Sequence, residues 1–243
     1  MRIDLTIPTR WEELTTEQLR ETVEVTTENL RREEVLLVLL CKFANVKMQC
    51  GMRNDECGMA FETADGKRFT LEVWQVADFC NRLQWALDED IPIEAHWPFG
   101  WDAYLMNTTF GDWFHADALM LGYSLRGDIT CIRGAMKDLD HQDHDGLQHT
   151  DPDLILLLKW YDLFKEWLQE RYPLVFKKKD SSTGSEDYSP IDARQNIMLM
   201  LTDGKPQDNE AIEKSNVHDV LAALQHKIEE AKHIEEQMSK YKH

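Results

Sequence analysis

The sequence predicts a mainly α-helical protein with a small β-hairpin insertion and a long amphipathic helix at its C-terminal end. Three observations predict this class. Apolar residues recur at helical spacing over most of the chain. Between about residues 46 and 70, short apolar runs flank Asp65 and Gly66, a pair typical of a hairpin turn. A hydrophobic fraction of 42% and eight tryptophans indicate a globular chain.

The first predicted domain is a helical domain over residues 1–148, with the hairpin inside it. Thr15 followed by Gln18 is a capping-box pattern, which predicts the start of a helix. The next predicted helix is apolar on nearly every side from Val35 to Leu40. A helix of that kind lies in the centre of its domain.

A second helical region is predicted over residues 149–243. Asp151 and Pro152 form a cap and first-turn pair that begins its clearest helix. Residues 177–190 have the small, polar and charged composition of a flexible linker. A short helix over 191–201 and the long C-terminal helix follow.

The C-terminal helix carries a narrow apolar stripe with glutamate, lysine, glutamine and histidine on its other faces. The stripe residues follow each other at spacings of three and four: Val217, Leu221, Leu224, Ile228, Ala231, Ile234 and Met238. So narrow a stripe is typical of a helix that packs against one or two others. The partner is the short helix of this chain, a second copy, or another protein. We therefore predict a protein-interaction surface along this stripe.

Charge and cysteine usage narrow the functional classes. The formal net charge of −18 disfavours binding to nucleic acid or to an anionic membrane. The apolar runs over 35–41 and 154–158 are too short to span a bilayer. Five scattered cysteines do not suggest a disulfide framework, and the N-terminal residues lack a signal-peptide pattern. These observations predict a cytoplasmic protein.

Residues 138–153 contain the densest group of potential metal ligands and acid–base residues, with six aspartates and three histidines. No register of this stretch fits an EF-hand loop. His141, His144 and His149 provide imidazoles for zinc, but no cysteine lies nearby and no HExxH motif is present. We interpret the stretch as a solvated joint between helices and predict no cofactor. The alternative is a metal-dependent enzyme that uses these three histidines.

Other motifs argue against catalysis. Cys50 and Cys57 are too far apart for a zinc knuckle and have no second pair. Gly122 and Gly127 begin like a phosphate-binding loop, but Asp128 stands where its lysine belongs. Neither a nucleophile elbow nor a dinucleotide fingerprint is present. We predict no catalytic residues. The aromatic loop over 97–104 is either core or contact surface.

Several segments carry a resemblance to a known family: "IPTRWEELTTEQL", "RFTLEVWQVADFCNRLQWAL", "FGDWFHADALMLGY" and the tail from "NIMLML" onward. Together they resemble proteins found in phages and prophages of Bacteroides and related gut bacteria. The resemblance implies no catalytic residues and a place among tail genes. It implies a non-enzymatic tail assembly chaperone that binds the tape-measure protein, acting in the bacterial host cytoplasm. A structural component of the virion is the alternative.

Overall fold

The structure, a computed structural model, describes residues 5–49, 58–176 and 190–240. It confirms a mainly α-helical protein with a small β insertion. The helices are α1 (Thr16–Thr27), α2 (Arg32–Phe43), α3 (Val73–Arg82), α4 (Trp85–Asp88), α5 (Phe110–Arg126), α6 (Ile129–Asp140), α7 (Pro152–Arg171), α8 (Pro190–Thr202), α9 (Asn209–Glu213) and α10 (Val217–Lys240). The strands are β1 (Val46–Met48), β2 (Gly58–Thr63) and β3 (Arg68–Glu72). Cys50, Cys57 and residues 177–189 of the predicted linker lie outside the described residues.

The chain divides into two compact units. Unit 1 comprises residues 1–98 and 150–160, and unit 2 comprises residues 99–149 and 161–243. This division differs from the predicted one, which separates residues 1–148 from 149–243. Residues 99–149 group with the C-terminal helices because α5 packs against both α9 and α10. Helix α7 contributes its first nine residues to unit 1 and the rest to unit 2.

Unit 1 is built on the packing of α1 against α2. The predicted capping box begins α1: Thr15 Oγ1 accepts the Gln18 N–H at 3.2 Å, and the Gln18 side chain accepts the Thr15 N–H at 3.0 Å. Leu19, Leu39 and Leu40 are fully buried. These residues form the core of the unit, as the apolar character of α2 predicts.

A three-stranded antiparallel sheet of order β1-β2-β3 covers part of this core. The β2–β3 pair is the predicted hairpin, and Gly66 adopts a φ of 81° in its turn. Glycine reaches this left-handed region without a steric penalty, which is why the turn forms there. Phe61 on β2 is buried and stacks on Phe69 of β3.

Helix α7 begins at Pro152 directly after Asp151, as predicted. Within unit 1, the Arg20 guanidinium donates two hydrogen bonds to the Asp153 carboxylate, at 2.6 and 2.9 Å. This two-pronged geometry fixes the first turn of α7 relative to α1. Leu156 and Trp160 are buried.

Unit 2 is centred on the antiparallel pair α5 and α6. Gly127 ends α5 with a φ of 67°, and the Asp128 side chain then accepts the Thr130 N–H at 3.0 Å to begin α6. The glycine and the cap together allow a connection of two residues. Among the described residues, no helix has the length and apolar character needed to cross a membrane.

We predict that Leu39→Ala lowers the free energy of unfolding by about 2–5 kcal/mol, because it opens a cavity at a fully buried position. Urea denaturation followed by circular dichroism measures the loss. Leu125→Ala is the matched control, since Leu125 is 77% exposed and its truncation should change stability by less than about 0.5 kcal/mol. Equal effects of the two substitutions would contradict the placement of α2 in the core.

Candidate functional site

The candidate site is the end of α10, and its position follows from how the start of that helix is anchored. Asn216 precedes the helix, and its side-chain oxygen accepts the His218 N–H at 2.8 Å. The Asn216 amide donates to the Met106 carbonyl at 2.5 Å, and the Val217 N–H donates to the Thr108 carbonyl at 3.1 Å. These bonds connect the first turn of α10 to the segment that precedes α5.

His218 is a second anchor. Its Nε2 lies 2.7 Å from the Tyr104 carbonyl oxygen, and its Nδ1 lies 3.2 Å from the Tyr172 hydroxyl. A carbonyl oxygen only accepts, so Nε2 carries a proton and donates it to the Tyr104 carbonyl. The ring of Trp167 meets the imidazole edge-on. His218 therefore links α10 to α7 and to the aromatic loop.

The first half of the predicted stripe is core. Val217 and Leu221 are fully buried and Leu224 is 3% exposed, all three within unit 2. Helices α5 and α8 pack against α10. These three residues therefore pack against helices of their own chain, and another protein cannot reach them in the folded chain. The prediction of an interaction surface narrows to the rest of the stripe.

The second half of the stripe is exposed. Ile228 is half-buried and Ala231 is exposed. Ile234 is 56% exposed and Met238 is 59% exposed. Exposed large apolar side chains at regular spacing on one helix are typical of a contact surface.

Lys227 marks the boundary between the two halves. Its amino group donates to the Met200 carbonyl at 2.7 Å and to the Asp203 carboxylate at 2.5 Å. Both acceptors lie in the last turn of α8 or directly after it. A lysine in this position stabilises a helix C-terminus by binding its free carbonyls. Helix α8 therefore ends at the level of Lys227, and α10 continues for about three more turns.

The exposed half turns its apolar side in a new direction. A helix rotates by about 100° per residue, so Ile234 and Met238, seven and eleven residues after Lys227, lie within about 20° of it. The same face carries Glu230, Ala231 and Glu235. We call this surface the distal face, and it consists of Glu230, Ala231, Ile234, Glu235 and Met238. The centre of the distal face is rotated by roughly 75° from the centre of the buried half of the stripe. The rotation arises because two spacings of three follow each other from Ile228 to Ile234.

The aspartates and histidines of the 138–153 stretch are held by separate partners. His144 Nε2 lies 2.9 Å from Asp140, Lys137 pairs with Asp143 at 2.6 Å, and the His149 ring stacks on Tyr123. His141 lies 4.0 Å from Asp112. Within residues 5–49, 58–176 and 190–240, no three histidine, cysteine, aspartate or glutamate side chains form a group that could hold a metal ion.

Asp138 lies at the start of this stretch and contacts His115. Burial raises the pKa of Asp138, and His115, whose Nδ1 lies 2.6 Å from Asp138 Oδ2, acts in the opposite direction. His115 also lines a cleft of about 620 Å³ in unit 2, together with Asp112, Arg194, Glu213 and Lys214. Arg194 pairs with Glu213, and Lys214 with Glu210, so much of the charge in this cleft is neutralised locally.

Sequence reasoning missed Glu230 and Glu235 as members of the exposed face. The sequence shows that both glutamates lie on the same side of the helix as Lys227. Only the contact between Lys227 and α8 shows that this side continues past the end of α8. The aromatic loop is half-buried, with Phe99 stacked on Trp101 and Tyr104 against Trp167. Of this loop, Tyr104 also accepts through its carbonyl the hydrogen bond from His218 that anchors α10.

We predict that His218→Ala lowers the free energy of unfolding by about 1–3 kcal/mol, because it leaves the Tyr104 carbonyl and the Tyr172 hydroxyl without this partner. Thermal denaturation measures the loss. Tyr172→Phe is the control: it removes the hydroxyl contacts with His218 Nδ1 and with the His218 carbonyl at 3.4 Å, but it keeps the shorter bond between His218 and the Tyr104 carbonyl, so its loss should be smaller. A larger loss for Tyr172→Phe would contradict the central role of His218.

Comparison of the chain with protein-family models, with curated proteins and with solved structures finds no match.

Proposed function

We propose that this chain is a non-enzymatic protein-binding protein whose distal face binds a helix of a partner, in the manner of a tail assembly chaperone for a long helical tail protein. The observation that carries the proposal is the exposure of Ile234 and Met238 beyond the end of α8. The resemblance to phage and prophage proteins supplies the class of partner.

The end of α10 has the dimensions of a helix-binding surface. From Lys227 to Met238 it extends about 16 Å, which is about three helical turns. Leu199 and Met200, in the last turn of α8, are also exposed, and the Met200 backbone contacts Lys227. A partner helix with apolar residues at spacings of three and four fits such a surface.

The strength of the expected contact suits temporary binding. Covering Ile234 and Met238 would contribute on the order of 1.5 kcal/mol each, because each side chain is already partly covered. A micromolar complex needs about 8 kcal/mol, and association itself carries a cost. A single distal face therefore binds weakly. A long partner that repeats its apolar stripe would bind several copies, each of which can leave separately.

The net charge of −18 is compatible with this role. A long helical chain that exposes apolar stripes tends to aggregate before its own assembly covers them. Bound acidic proteins repel each other and keep such a complex dispersed.

We predict that Ile234→Asp together with Met238→Asp abolishes capture of a long helical protein whose apolar residues repeat at spacings of three and four, the class of partner proposed here. The measurement is co-expression of the two proteins followed by affinity pull-down. A carboxylate at each position cannot be buried against an apolar stripe without a large desolvation cost, so binding should fall at least about tenfold.

Leu125→Asp is the matched control, because Leu125 is exposed on α5 and is not part of the distal face. It adds the same kind of charge in place of a large exposed apolar side chain and should leave capture unchanged. Circular dichroism confirms that each variant is folded. Undiminished capture by the folded Ile234 and Met238 variant would refute the proposed site.

A further inference from the structure

Two glutamates lie among the apolar residues of the distal face. Glu230 is one turn before Ile234, and Glu235 is one turn after Ala231. Both are exposed. His226 Nδ1 lies 3.9 Å from the Glu230 carboxylate, at the limit of an ion pair, and Glu235 makes no ion pair with any described residue. The two carboxylates are therefore open to a partner.

The cations near this face are already engaged or lie elsewhere. The Lys227 amino group is bound by Asp203 and by the end of α8. Lys232 lies five residues after Lys227, which places it roughly 140° around the helix and away from the distal face. Residues 229–239 contain four glutamates and one lysine. The distal face is thus a short apolar strip with negative charge on both sides.

A second copy of the chain does not complement such a face. It would bring another acidic strip to the contact, on a body that already carries a net charge of −18. A regular coiled coil between copies also requires an unbroken heptad, but the position that would continue the heptad after Ala231 is Glu235. A charged residue in that position weakens pairing between identical helices.

Resting on the function proposed above, we infer that the partner of the distal face is a basic amphipathic helix, in which lysine or arginine flanks an apolar stripe at spacings of three and four. Ile234 and Met238 pack against the stripe, while Glu230 and Glu235 pair with cations on its two sides. Charge complementarity of this kind selects the partner and accelerates encounter more than it adds affinity.

The test uses the full chain and two synthetic helical peptides of about 18 residues with blocked ends. Both have the same apolar stripe; lysines flank it in one peptide, and glutamates replace these lysines in the other. Fluorescence anisotropy of labelled peptide gives the affinities at low salt and at about 0.5 M salt, where screening is strong. We expect the lysine peptide to bind at least about tenfold more tightly at low salt, and the ratio to shrink as salt rises.

Two charge reversals separate a local effect from a general one. Glu230→Lys with Glu235→Lys should abolish or invert the preference between the peptides. Glu229→Lys with Glu236→Lys makes the same change in net charge on the opposite side of the helix and should leave most of the preference in place. Equal affinities of the wild type for both peptides, or equal effects of the two double variants, would overturn the inference.

Ile234→Asp distinguishes this inference from the function on which it rests. If it abolishes capture of the long helical protein while the wild-type chain does not distinguish the peptides, the site stands and the basic partner is wrong. If capture and peptide binding both survive it, the site itself is wrong. Sedimentation velocity tests the second copy: a dimer that Ile234→Asp dissociates would assign the distal face to self-association and overturn the basic partner.

Discussion

The contact between Lys227 and the end of α8 determines which part of the C-terminal helix is available. Before it, α10 is covered by its own unit, and Val217, Leu221 and Leu224 are core residues. After it, α8 has ended, and the same helix continues with side chains that are exposed except for the half-buried Ile228 and Lys232. A single lysine forms this boundary contact, because its amino group donates hydrogen bonds to both the Met200 carbonyl and the Asp203 carboxylate.

The buried half gives the exposed half a fixed position. An isolated helix of three turns is marginal in water, since nucleation is unfavourable and few hydrogen bonds repay it. Here the helix is already nucleated by the turns that pack in unit 2, and its first turn is held by Asn216 and His218. The distal residues therefore extend an existing helix, which lowers the conformational entropy that a partner must overcome on binding.

The sequence predicts much of this architecture because local chemistry decides it. The capping box at Thr15, the Asp65–Gly66 turn and the start of α7 after Asp151 each depend on a few neighbouring residues, and each is confirmed. The division into two units, by contrast, does not depend on neighbouring residues. Residues 99–149 join the C-terminal helices through packing between α5, α9 and α10, and contacts so distant in sequence leave no periodic pattern. The apolar stripe shows the same limit: its period predicts a buried face but not where the covering helix ends.

The 138–153 stretch shows how composition and geometry differ in what they imply. Six aspartates and three histidines in sixteen positions provide many potential ligands, but a metal ion needs several of them at one point in space. Here His144 turns to Asp140, Asp143 to Lys137, and Asp153 to Arg20. The contacts with Lys137 and Arg20 each neutralise a carboxylate charge of this stretch. The acidic residues of this stretch thus pair within it or with neighbouring helices, whereas Glu230 and Glu235 make no ion pair with a described lysine or arginine.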